Sequence, residues 1–102
     1  MAAQPTNHLL DQVAVPTTSA TIYPQRVLED YGTVQVESGA TTFVMQVLGR
    51  SSPEAPWAIL ATITQADLDG SGGAVFLVAL LPEMALDLTA LSNASFDAWL
   101  NE

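Results

Sequence analysis

The stretch TVQVESGATTFVMQVLG, residues 33–49, decides the fold class of this chain. In its first half valines alternate with polar residues, and in its second half apolar residues again recur at every second position. A period of two is typical of half-buried β-strands. The predicted inner faces carry Val34 and Val36 in the first strand, and Phe43, Met45 and Val47 in the second. Because a short glycine-containing break separates the two runs, the sequence predicts a β-hairpin here.

Five more runs on either side of this stretch have the length and composition of β-strands, and none has a long helical period. They cover residues 18–22, 57–64, 74–81, 86–91 and 95–100. Seven short antiparallel strands in one domain bury their apolar faces best by forming two packed sheets. The sequence therefore predicts an all-β fold, an antiparallel β-sandwich of Ig-like or jelly-roll type, with a small barrel as the alternative.

Residues 1–16 are expected to form an N-terminal arm ahead of a single sandwich domain at residues 17–102. The arm contains mainly small and polar residues, with Pro5 near its start and Pro16 at its end. We expect irregular structure there and little contribution to stability. His8, the only histidine, falls in this arm. A catalytic histidine needs a fixed position and an orienting partner, so we expect no catalytic role for it.

The composition excludes several classes of function. The chain has eleven acidic residues and two arginines, and its formal net charge is -9. Direct nucleic-acid binding is therefore not expected. The chain has no cysteine, which removes disulfides and thiolate chemistry. No apolar run reaches the length of a bilayer span. Residues 1–10 lack the basic and apolar regions of a secretory signal, so we do not expect them to act as one. We expect no enzyme activity, no cofactor, no metal and no membrane partner.

The loop QADLDGSGGA, residues 65–74, resembles the front half of a calcium-binding loop. Asp67 and Asp69 occupy ligand positions, but Val78 stands where such a loop needs a bidentate glutamate. Aspartate and glycine also suit a chain reversal between two strands. We expect a plain hairpin loop with no tight calcium site, and weak millimolar binding is the alternative.

The strongest functional signal is apolar sequence in excess of what a sandwich core needs. Residues 74–81 are apolar on both faces, whereas one face of each sheet normally meets water. Trp57 is expected in the core, in phase with Ile59 and Ile63, while Trp99 is expected to point outward. The extra surface predicts a homo-oligomer or another protein partner. The candidate interface residues are Val44, Leu48, Leu77, Leu80 and Trp99.

A valine-rich strand and a glycine turn precede a strand that ends in Gly49-Arg50, and the loop SSPEAPW follows. In this pattern the chain resembles small β-sandwich virion proteins of tailed bacteriophages. The match is to residues 31–100, with a looser C-terminal part in ALDLTALSNASFDAWL. The resemblance implies a virion location and a capsid decoration (cement) protein or a small tail or neck component, with the major capsid protein or another virion protein as partner. The alternatives are a carbohydrate- or host-surface-binding module and an intracellular acidic inhibitor.

Overall fold

The computed structural model describes residues 6–24, 31–40, 42–68, 73–92 and 94–101, and these residues form eight β-strands. In chain order the strands are β1 (Thr6–Val13), β2 (Thr17–Thr18), β3 (Tyr31–Ser38), β4 (Thr42–Arg50), β5 (Ala58–Thr64), β6 (Gly73–Ala79), β7 (Glu83–Ser92) and β8 (Phe96–Asn101). A single 3₁₀ turn, Gln65–Asp67, follows β5 in this part of the chain. The described residues contain no helix with the length and hydropathy needed to cross a bilayer.

The strands form two four-stranded antiparallel sheets packed face to face. Sheet A has the order β1-β8-β3-β6, and sheet B has the order β2-β7-β4-β5. The pairs β1·β8, β2·β7, β3·β6 and β4·β5 correspond to one long hairpin folded at its middle. The pairs β3·β8 and β4·β7 then close this ribbon into two sheets. This is the strand order of a jelly roll, so the predicted β-sandwich is confirmed and the jelly-roll type is selected.

The core lies between the two sheets, and alternation along each strand supplies it. β8 shows this most simply, because Phe96, Ala98 and Leu100 are fully buried while Asp97 and Trp99 face outward. The rings of Phe43 and Phe96 meet edge to face across the core, with centroids 4.7 Å apart. The other large buried side chains are Leu10, Val34, Val36, Met45, Val47, Ile63, Leu80, Met84, Leu86 and Leu88.

The predicted hairpin between β3 and β4 is wrong, because the two strands belong to different sheets. Both strands do have one apolar face, but these faces meet across the core instead of lying side by side. Gly39 does not adopt the left-handed φ that a tight hairpin turn requires. The link instead turns a corner: Ser38 Oγ accepts from the Ala40 N–H at 3.0 Å and donates to the Ser95 carbonyl at 2.8 Å.

The expectation of an irregular arm is also corrected, since Thr6–Val13 forms strand β1 against β8. Leu10 is 1% exposed and belongs to the core. The pairing register shifts twice, between His8 and Leu10 and between Leu10 and Val13. These irregularities remove the period-two pattern by which a strand is recognised in a sequence. The seven predicted strands correspond to β2–β8, with β2 reduced to two residues and an isolated bridge from Ile22 to Met84.

Candidate functional site

Exposed apolar side chains concentrate on one side of the sandwich. β5 and β6 contact each other across the sandwich on that side and form its edge in sheets B and A. Of the seven large apolar side chains exposed among the described residues, five lie on β3, β5 or β6. They are Tyr31 (64% exposed), Ile59 (57%), Leu60 (36%), Val75 (60%) and Leu77 (76%). This side is therefore the candidate contact surface of the molecule.

Three of these residues, Tyr31, Val75 and Leu77, form what we call the apolar patch on the outer face of sheet A. The β3·β6 register sets Leu77 beside Thr33 and Val75 beside Gln35. Gln35 in turn lies beside Trp99 of β8. Hydroxyl and amide groups thus border the patch, as polar groups border the apolar centre of a protein interface.

The five predicted interface residues do not lie on one surface. Leu77 is in the apolar patch, and Trp99 is half-buried on the same outer face of sheet A. Val44 and Leu48 are half-buried on the outer face of sheet B. Leu80 is 1% exposed, so its assignment to an interface is wrong. Side chains alternate between the two faces here, so Val78 and Leu80 point into the core while Leu77 points outward.

His8 lies in a polar cluster on the outer face of sheet A, not on an irregular arm. Its ring stacks on Trp99 with centroids 4.4 Å apart and an interplanar angle of 11°. Its Nε2 lies 3.0 Å from Asp97 Oδ1 and 3.9 Å from Asp11 Oδ1. Asp97 Oδ1 also accepts from the Gln12 backbone N–H at 2.9 Å. These contacts join β1 to β8.

The same cluster holds the group of side chains in the described structure that comes nearest to a metal site. One ligand atom each from His8, Asp11 and Asp97 lies within 4.8 Å of the others. Imidazole and carboxylate are ligands that zinc accepts. No sequence spacing predicts this group, because His8 and Asp97 are 89 positions apart. The ring of His8 also covers one face of Trp99, which restricts stacking of any other ring there.

Arg50, Glu83 and Trp57 form a second polar contact, where β4 leads into the loop before β5. Arg50 Nε and Nη2 both donate to Glu83 Oε1, at 3.2 and 2.9 Å. The guanidinium lies 4.2 Å from the centroid of the Trp57 ring. Trp57 is therefore half-buried over Arg50 and not in the core as predicted. A register shift at Val47 and Leu48 changes the phase of β5 and also turns Ile59 outward.

The prediction of a plain hairpin loop after β5 is wrong, because this loop connects the two sheets: β5 belongs to sheet B and β6 to sheet A. Asp67 Oδ2 accepts from the Thr64 backbone N–H at 2.8 Å and from Thr64 Oγ1 at 3.4 Å. Through these bonds the Asp67 carboxylate caps the start of the 3₁₀ turn at Thr64. Asp69 lies outside the described residues, so the absence of a tight calcium site stays a prediction.

Comparison with protein-family models, with curated proteins and with solved structures finds no match to this chain. The strand order, the apolar patch and the two polar contacts are thus the observations from which a function can be argued.

Proposed function

We propose that this chain is a non-enzymatic structural protein of a tailed-phage virion that binds and stabilises the capsid surface as a decoration protein. Three observations support the proposal. The jelly roll is an architecture that viral capsid proteins use. The sequence resembles small virion proteins over residues 31–100. The apolar patch is exposed on the outer face of sheet A, where a solvated sheet normally carries polar side chains.

The apolar patch is the observation that carries the proposal. Burying a valine or leucine side chain contributes about 1.5–3 kcal/mol relative to leaving it in water. Val75 and Leu77 are more than half exposed in the isolated chain, so docking gains most of that free energy. β6 contains no charged residue, so a partner that covers the patch desolvates no ionised side chain on this strand. Thr33 and Gln35 beside it can hydrogen-bond a partner's backbone.

A particle-binding assay with two matched variants tests this proposal. The purified chain is mixed with capsids that lack it, and particle-bound protein is measured after sedimentation. We expect wild type to bind at a fixed number of copies per capsid. Leu77→Asp should bind at least tenfold more weakly, while Val15→Asp, at an exposed position in the link between β1 and β2, should bind as wild type does. Equal binding by both variants, or no saturable binding by wild type, would reject the proposal.

A carbohydrate-binding module is the second candidate, because Tyr31 and Trp99 both lie on the outer face of sheet A. Exposed aromatic rings on a β-sandwich suit stacking on sugar rings. His8 already covers one face of Trp99, which leaves Tyr31 as the more open ring. Retention of the chain on a glycan array, with loss on Tyr31→Ala, would favour this candidate over capsid decoration.

A further inference from the structure

In the part of the chain that the structure describes, β6 is an edge strand of sheet A. Among the described residues β6 pairs with β3 alone, so along residues 74–79 its second edge has no strand beside it. An open edge displays backbone N–H and C=O groups that another β-strand can pair with. The chemistry of the edge therefore specifies the kind of partner, an extended peptide segment.

The other three sheet edges carry features that oppose such pairing, and β6 does not. β1 has two register shifts and bears His8 and Asp11, β5 has one shift, and β2 is two residues long. Shifts, charges and short length are the means by which native edges avoid pairing. β6 pairs with β3 over seven consecutive residues without a shift, and it has no charge and no proline.

We propose that two copies of this chain pair through their β6 strands, antiparallel about a two-fold axis, to form a continuous eight-stranded sheet. Pairing centred on Phe76 sets Val75 of one copy beside Leu77 of the other, so the two most exposed residues of β6 contact each other side by side on the outer face of the sheet. Phe76, half-buried at the edge of the sandwich, then meets its symmetry mate. Symmetric self-pairing of this kind is the usual form of a dimer interface.

Charge and position favour a second copy as the occupant of this edge. Neither β5 nor β6 contains a charged residue, so the strands that meet carry no like charges despite the net charge of -9. β5 lies on the same side of the sandwich, and its Ile59 and Leu60 add apolar surface beside the paired strands.

This inference rests on the proposed role as a capsid decoration protein, and it specifies how two copies of the chain are arranged. Across the two-fold axis the two apolar patches join into one surface of twice the size. The test uses the isolated chain, so a monomer that still binds capsids would overturn the pairing alone. A dimer that fails to bind capsids would overturn the decoration role alone.

Distances between spin labels distinguish edge pairing from face-to-face stacking. The chain has no cysteine, so Asp11→Cys gives one labelled site, on β1 at the far edge of sheet A. In the continuous sheet the two β1 strands are seven strand spacings apart, about 34 Å. Stacked outer faces lie about 10 Å apart and bring the labels within about 20 Å of each other. Asp11 lies near the level of Gly73 and the axis passes through Phe76, so the two labels are also offset along the strands. A distance of about 34 Å or more is expected, and a shorter distance would overturn edge pairing.

Sedimentation of charge variants provides the second measurement. Val75→Lys places an ammonium at the paired edge and should shift the chain to monomer, with at least a tenfold rise in the dimer dissociation constant. Gln35→Lys adds the same charge on the adjacent strand, directly beside Val75, and should leave the dimer intact. Circular dichroism checks that each variant is folded, and Leu77→Lys replaces Val75→Lys if that variant unfolds. A wild-type chain that stays monomeric at millimolar concentration would overturn the proposal.

Discussion

Glu83 shows how a single side chain fixes a loop to this sandwich. It is 5% exposed, and its Oε1 accepts both hydrogen bonds from Arg50. The same guanidinium lies over the Trp57 ring. A buried carboxylate is tolerated when a cation compensates it, so Arg50 is needed because Glu83 is buried. The three residues together hold both ends of the loop at residues 51–57.

Removing one member of this pair should cost more than removing both. We expect Arg50→Met to lower the free energy of unfolding by about 3 kcal/mol, because it leaves the Glu83 charge buried without a partner. The double variant Arg50→Met, Glu83→Leu should recover at least half of that loss, since apolar groups replace the pair. Urea denaturation of the single and double variants measures both values. Additive losses in the double variant would show that the pair is not coupled.

At the scale of the strand, β1 is integral to the fold although its sequence does not alternate. Leu10 is buried against the core, while Gln12 has a φ of 49° and interrupts the extended backbone. Gln12 is not a glycine, and its N–H is directed to Asp97, which compensates the unusual backbone. β1 thus reaches the core through buried Leu10, with Leu9 and Val13 packed partly against it, and polar contacts anchor the strand to β8.

Leu10→Ala should therefore destabilise the whole domain. We expect a loss of about 2–4 kcal/mol in the free energy of unfolding, from lost burial and the cavity that remains. Val15→Ala, at a side chain that is 63% exposed in the link to β2, should change it by less than about 0.5 kcal/mol. Thermal and urea unfolding of both variants gives the comparison. A small loss for Leu10→Ala would mean that β1 behaves as the flexible arm that the sequence suggested.

The two strand-level errors have a common physical origin. Alternation in residues 33–37 and 41–49 shows correctly that each strand has one buried face. It carries no information on whether the next strand lies beside the first or across the core, and here β3 and β4 lie across the core. β1 is missed because adjacent Leu9 and Leu10 and the turn at Gln12 remove the period. The cluster of His8 and Asp97 is missed because only the β1·β8 pairing brings the two together.

At the scale of the whole molecule, charge and apolar surface are separated. Strands β5 and β6 are uncharged, whereas the opposite edge of sheet A carries His8, Asp11 and Asp97. The excess apolar character of residues 74–81 could be read from the sequence, since a solvated sheet face rarely carries so many large side chains. The sequence does not show which of the two faces of residues 74–81 is exposed, because that depends on the register with β3.

Salt should therefore strengthen the dimer. Two chains of net charge -9 repel each other, and raising sodium chloride from 0.1 to 1 M shortens the screening length from about 10 to about 3 Å. Apolar contacts at β6 are not weakened by this change, so the dissociation constant should fall severalfold. Analytical ultracentrifugation at several salt concentrations measures it. A dissociation constant that rises with salt would point to ion pairs in the interface instead.

The pairing of β1 with β8 also governs when the chain can fold. During synthesis β1 emerges before β8, the strand that joins it to sheet A, and the other described strands emerge between them. β4 and β5, joined by a short loop, can pair early because little chain entropy is lost. Folding that depends on pairing between strands far apart in the sequence, such as β1 and β8, takes milliseconds to seconds. Until Phe96–Asn101 is made, β1 lacks the strand that holds it in sheet A and Leu10 remains in water, so the nascent chain is prone to aggregation during that interval.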